Sequence, residues 1–177
     1  MPGLLDGKAA IVSGIGPGAG RSIALALARE GADVVLAART VAALESAAAE
    51  VRAHGRRAVV VPTDVARPED CRRLADTAQT ELGRIDVLVN NAFRSAPYDA
   101  VEEASMDDWR KIFDVNVFGS VQLSQAVVPH MKARRSGSII MVNSMSVRII
   151  EPRFDRDPVH STTRMREAES LQVGEAE

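Results

Sequence analysis

The sequence predicts a doubly wound α/β fold, a parallel sheet of about five strands. Short β-branched runs alternate with Ala/Leu-rich stretches of helical spacing five times along the chain. Strands joined by such helices run parallel through right-handed crossovers. The strand runs are also nearly continuous in apolar residues, as expected when helices cover both faces of a sheet.

The elements follow in order. Ala9–Ser13 is the first strand and stops at glycines. Arg21–Glu30 has helical spacing and ends at Gly31, a residue suited to a C-cap. Val34–Ala38 is the second strand. Thr40 can N-cap a helix that runs to about His54 and ends at Gly55. Ala58–Pro62 is the third strand. Pro68 fits the first turn of a helix reaching Leu82, with Gly83 beyond it. Asp86–Asn90 is the fourth strand, followed by a loop with Pro97. Ser105 with Asp108 resembles a capping box and opens a long helix toward Lys132. Pro129 is expected to bend or end that helix. Ile139–Val142 is the fifth strand. Residues 1–154 are read as one domain. After Phe154 the larger apolar side chains thin out to Val159, Met165, Leu171 and Val173. Residues 155–177 are therefore expected to form a tail outside the core, disordered or carrying a short helix over Thr163–Gln172.

Composition narrows the function. With 46% hydrophobic residues over 177 positions, the chain can bury a core. A net charge of -2, from 22 basic and 24 acidic residues, argues against binding nucleic acid or membranes through bulk charge. The N-terminus shows no apolar leader and no apolar run approaches 18 residues, so a cytoplasmic protein is expected. The single Cys71 has no intrachain partner and reads as a small buried hydrophobe. His54, His130 and His160 lack metal-ligand spacing. Trp109 reads as packing, and Glu45, Glu50 and Arg52 as a solvated helix face.

The chemistry concentrates after the first strand, in Ser13-Gly14-Ile15-Gly16-Pro17-Gly18-Ala19-Gly20. Glycines permit a tight turn and close approach of backbone to a pyrophosphate. The following helix start supplies N–H groups and the positive end of a dipole. Gly14-x-Gly16-x-x-Ala19 fits the ordinary dinucleotide fingerprint, and Gly14-x-x-x-Gly18-x-Gly20 fits a wider spacing. Either predicts a Rossmann-like nucleotide site. The second strand ends in Ala37-Ala38-Arg39-Thr40, without an acid to bind a ribose 2′-hydroxyl. Arg39 can pair with a 2′-phosphate, and Arg21 can assist, so NADP(H) is expected in preference to NAD(H).

Ligands of open α/β sheets bind outside the carboxyl ends of the strands. The third strand ends in Thr63-Asp64-Val65, the fourth in Asn90-Asn91-Ala92 and the fifth in Asn143-Ser144-Met145-Ser146. Arg94 and Ser95, after the fourth strand, are candidate pocket residues. Asn116 lies inside the long helix, where Asn is a poor choice because it competes for backbone hydrogen bonds.

With these motifs the chain resembles the short-chain dehydrogenase/reductase family from Leu5 to about Phe154. The wide glycine pattern with Ser13 is similar to that family's cofactor turn. Asp64-Val65 resembles its adenine-contacting pair. Asn90-Asn91-Ala92 resembles its Asn-Asn-Ala-Gly signature, with Phe93 in place of the Gly, a variant some members share. Asn116 and Ser144 fall at the family's active-site Asn and catalytic Ser. The resemblance implies hydride transfer between a nicotinamide and a secondary alcohol or ketone, and a homo-oligomer in which the helix after the fifth strand and the long helix before it pack against their symmetry mates.

The family's proton donor is a Tyr four residues before a Lys, about 13 residues beyond the Ser. This chain has Asp157 and Ser161 there; its only Tyr is Tyr98 and its last Lys is Lys132. The resemblance therefore implies impaired catalysis, or a non-catalytic nucleotide-binding module. It also stops abruptly at Phe154, which points to a truncation or a frameshift with Asp155–Glu177 read out of frame. The helix interface is then not assured. Only three of the 22 basic residues are lysines (Lys8, Lys111, Lys132), which fits GC-rich coding. Reading the gene past the Phe154 codon tests this: a shifted frame encoding Tyr-x-x-x-Lys is expected, and two frames without it would end the idea.

Overall fold

The computed structural model describes residues 3–95, 105–143 and 168–172. Five strands form a parallel sheet: β1 (Ala9–Ser13), β2 (Asp33–Ala38), β3 (Ala58–Pro62), β4 (Val87–Asn90) and β5 (Ser138–Val142). The helices are α1 (Ala19–Arg29), α2 (Val41–Ala53), α3 (Pro68–Leu82), α4 (Met106–Phe113) and α5 (Ser120–Arg134). A π-helical turn, Asp114–Gly119, joins α4 to α5. A last strand, β6 (Ala168–Gln172), pairs antiparallel with β5, giving the order β3-β2-β1-β4-β5-β6. The Pro97 loop, Ser144 and the domain boundary near residue 154 lie outside the described residues.

Side chains alternate across the strands and build a core on each face. Ile11, Val35, Ala37 and Leu88 point to one face, where Leu74 and Ala78 of α3 and Leu123 and Val127 of α5 cover them. Val12, Val34, Leu36 and Val89 point to the other, under Ala24 and Ala28 of α1 and Leu44, Ala47 and Val51 of α2. The small alanines of α1 and α2 let those helices lie close to the sheet.

The predicted helix ends are largely observed. Gly83 takes the left-handed conformation after α3, at φ 75°. The Ser105 hydroxyl accepts the Asp108 N–H at the start of α4. Two expectations need correction. Pro129 does not end the long helix, which continues to Arg134. The carbonyl that Pro129 leaves without a donor belongs to exposed Gln125, where water can serve it. The second concerns Ala168–Gln172, which is extended rather than helical or disordered. The physical reason is the β5 edge, whose row of backbone groups pairs with any extended segment that reaches it.

The amino ends of the strands are tied together by Asp86. Its carboxylate, 5% exposed, accepts the Ala9 N–H at 2.9 Å and both Nε and an η nitrogen of Arg84 at 2.6 and 2.7 Å. Lys8 and Arg134 each approach to 3.7 Å. Burial alone would raise its pKa. The Arg84 and Ala9 hydrogen bonds and the Arg84 and Lys8 charges outweigh that and hold it below the ordinary 3.8. A depressed carboxylate stabilises the fold fully above the unfolded value and loses that as pH falls through the folded one. Urea midpoints should therefore stay flat down to about pH 5 and fall below about pH 4. Asp86→Asn should cost about 3 kcal/mol at pH 7 and flatten the acid limb, because it leaves Arg84 unpaired against a buried site. An unchanged acid limb in the variant would show that other carboxylates carry the effect.

Candidate dinucleotide site

The site is built where the strand order reverses, between β1 and β4. Ser13, the last residue of β1, is 1% exposed. Its hydroxyl donates to the Val89 carbonyl at 3.2 Å and accepts the N–H groups of Asn91 and Ala92 at 3.0 and 3.2 Å. That uses the whole capacity of one hydroxyl. The Asn91 amide nitrogen returns two bonds, to the carbonyls of Ser13 and Gly14 at 3.1 and 3.0 Å. The N–H groups of Gly14 and Ile15 bond to the Ala37 carbonyl of β2. Three strand ends thus fix the turn.

The turn's glycines divide into two kinds. Gly14 has φ 74°, and a Cβ on it would lie 2.6 Å from the Ala92 Cα. A Cβ on Gly20 would run into the Gly14 carbonyl oxygen and the Asn91 side chain. These two are required by the protein's own packing. A Cβ on Gly16 or Gly18 would meet nothing within 4 Å. Their openness leaves room for a ligand against the backbone. Gly18 is the N-cap of α1; no side chain caps that end, and no acid stands in its first turn. The same holds for α2. By contrast, α3 carries Glu69 and Asp70 in its first turn, and α4 carries Asp107 and Asp108. The starts of α1 and α2 keep their N–H groups and positive potential for an outside anion. The residues present therefore fit a dinucleotide.

The other predicted residues are placed as follows. Arg39 is exposed just before α2. Arg21 pairs with Glu50 of α2, so its guanidinium bridges α1 and α2, and Glu50 is more than a solvated face. Asp64 is half-buried at the end of β3, its Oδ1 accepting the Ala66 N–H, and Val65 is buried beside it. Asn90 is buried and donates to the Ser124 hydroxyl at 3.1 Å. Ala92 lies against Gly14, and Ala19 opens α1. Asn116 sits in the π-helical turn. Its amide pairs with the backbone of Arg94, accepting the N–H at 2.8 Å and donating to the carbonyl at 3.0 Å. It serves the loop after β4 as a neighbouring strand would. Cys71 is buried against the Val65 carbonyl. Burial and the nearby Asp70 and Asp64 charges push its thiol up to about 11, so it is no nucleophile.

Sequence reasoning missed Ser120 and Ser124. Ser124 donates to the Ser120 carbonyl and Ser120 to the Asn116 carbonyl, so a hydroxyl ladder joins Asn90 to the π-helical turn. Their spacing of four on one helix face was the available signal. Among the described residues no group of His, Cys, Asp and Glu could hold a metal. No helix among them is long and apolar enough to cross a membrane.

Comparison with known proteins decides the family. A short chain dehydrogenase model matches residues 8–154. The chain belongs to the short-chain dehydrogenase family. The 7alpha-hydroxysteroid dehydrogenase of Escherichia coli K12 is 36% identical over 142 residues, covering 80% of this chain and 55% of its own. An uncharacterized oxidoreductase of Methylorubrum extorquens is 38% identical over 151 residues, covering 84% and 59%. A short-chain type dehydrogenase/reductase from Mycobacterium marinum superposes with a TM-score of 0.80 at 35% identity, over 84% of this chain and 60% of that one. An NAD+-bound xylitol dehydrogenase gives 0.81 at 32% identity, over 84% and 57%. The chain spans little more than half the length of these short-chain dehydrogenases.

The two kinds of glycine give a test. Gly20→Ala and Asn91→Ala should each destabilise the fold by about 2–4 kcal/mol, through collision or lost buried hydrogen bonds. Gly16→Ala should stay within about 0.5 kcal/mol. Urea denaturation followed by circular dichroism measures all three; equal losses would refute the division.

Proposed function

We propose that this chain is the dinucleotide-holding part of a short-chain oxidoreductase and takes NADP(H) in preference to NAD(H). The observation that carries the reading is the uncapped, acid-free start of α1 behind open Gly16 and Gly18. Those N–H groups would hold the pyrophosphate. Arg39 and the equally uncapped start of α2 would take a 2′-phosphate, with Arg21 holding the two helices in register. Asp64 and Val65 would flank the adenine. Ser13, Asn90, Asn91 and Ala92 would set the wall between the two nucleosides. When bound, the dinucleotide supplies or accepts a hydride at a secondary alcohol or ketone.

Ser144 would orient and polarise the substrate oxygen, and Asn116 would hold the loop beside it. Charge growing on that oxygen needs a proton donor. These 177 residues hold no Tyr-x-x-x-Lys to lower a phenol pKa for the task. The acid–base contribution is worth ~10²–10⁴-fold, so turnover by this chain should fall at least that far. The same absence favours a second reading, a nucleotide-binding module without catalysis. The expected setting is a soluble one in the cytoplasm.

Calorimetric titration of the chain tests the reading. Saturable NADPH binding, tighter than NADH, is expected. Arg39→Ala should weaken NADPH about tenfold and leave NADH unchanged, the worth of one charged hydrogen-bonded contact. Equal weakening of both would remove Arg39 from the 2′-phosphate. No heat with either cofactor, from folded protein, would sink the proposal. Turnover of a ketone at the rate of an intact enzyme would reject the non-catalytic reading.

A further inference from the structure

We infer that Phe93 is a stacking wall for the nicotinamide end of the dinucleotide. The inference rests on the dinucleotide reading above. It starts from a contrast between backbone and side chain. Ala92, before Phe93, donates its N–H to the buried Ser13 hydroxyl at 3.2 Å. Arg94, after it, has both its N–H and its carbonyl taken by the Asn116 amide. The backbone on either side of Phe93 is thus held by side chains from β1 and the π-helical turn. The ring between them is 66% exposed. Aromatic side chains gain most by leaving water, and an exposed one on a mobile loop can seek cover. Here the backbone that carries the ring is fixed on both sides, at the carboxyl end of β4, one residue beyond the contact of Ala92 with Gly14.

Topology says which part of the ligand reaches it. The strand order reverses between β1 and β4, and a dinucleotide lies across that reversal with one nucleoside on each side. The start of α1 marks the middle. On the β2–β3 side stand Arg39 and Asp64, which suit the phosphorylated adenosine. The other nucleoside falls on the β4–β5 side, where Phe93 stands. A planar nicotinamide offers a face to the ring, and covering both removes apolar surface from water. Phe113, Val117 and Phe118 are also exposed, but they sit on α4 and the π-helical turn, not on the segment that leaves the carboxyl end of β4.

The experiment titrates the chain with NADPH and with 2′-phospho-ADP-ribose, which lacks only the nicotinamide ring. Wild-type chain should bind both, NADPH the more tightly. Phe93→Ala should weaken NADPH roughly tenfold and leave 2′-phospho-ADP-ribose unchanged. Phe93→Tyr, which keeps the ring, should restore NADPH binding. Unchanged NADPH affinity in Phe93→Ala overturns the assignment. Equal weakening of both ligands with a lower melting temperature also overturns it, since the ring would then support the fold. Failure of wild-type chain to bind either ligand removes the dinucleotide reading and this inference together. Normal binding of 2′-phospho-ADP-ribose with no effect of Phe93 removes this inference alone.

Discussion

Everything at the ligand end of the sheet depends on one buried hydroxyl. Ser13 ends β1 at the point where the strand order reverses, and there the chain must turn sharply beside the end of β4. Two parallel strands of four or five residues do not by themselves fix how the segments beyond them sit. The Ser13 hydroxyl supplies that by bonding the Val89 carbonyl and the N–H groups of Asn91 and Ala92. Asn91 answers with its amide on the other strand's exit. Both groups are buried, so a lost partner there cannot be replaced by water at no cost.

The glycine turn inherits its shape from this bracket. Because Gly14 and Gly20 pack against each other and against β4, the middle of the turn stands away from the protein. The same packing sets α1 down with its amino end facing the opening. Electrostatics then follows from composition. The two helix starts that face the opening carry no acids, while α3 and α4 spend theirs on their own first turns. A polar, positively biased opening thus arises from glycines, backbone N–H groups and a single exposed Arg39. The dinucleotide-binding class needs little else from its side chains.

Much of the fold was readable in the sequence because it is decided locally. β1 and β3 match their predicted bounds, since their apolar β-branched runs start after Lys8 and Arg57 and stop at Gly14 and Pro62. α2 and α3 match closely because Gly55, Pro68 and Gly83 punctuate them, whereas Thr40 precedes α2 without the expected side-chain cap. The misses involve partners far along the chain. Nothing near Ala168–Gln172 signals a strand; the vacant edge of β5 selects it. The π-helical turn could be suspected from Asn116 but not placed, because the bond that accommodates it goes to Arg94, across the molecule. The structure places most of the predicted site residues at strand ends and in the glycine turn, where several of them bond to backbone. Ser13, Asn91 and Asn116 face inward to the backbone, and only glycines, helix starts, Arg39 and Phe93 face outward.

That division separates holding a ligand from reacting with it. The positioning bonds described above join residues 13 to 124, within β1, β4, the glycine turn and the paired α4–α5 helix. They are satisfied inside that span, and the two cores on either face of the sheet draw on residues 9 to 142. The cradle proposed for the dinucleotide therefore lies within this stretch. Proton transfer is different in character, because it needs an acid within hydrogen-bond reach of the substrate oxygen with a pKa shifted by a neighbouring cation. Neither an Asn amide nor a serine hydroxyl can supply that proton at neutral pH. The proposed dinucleotide cradle and the acid–base chemistry would thus rest on different residues of this fold.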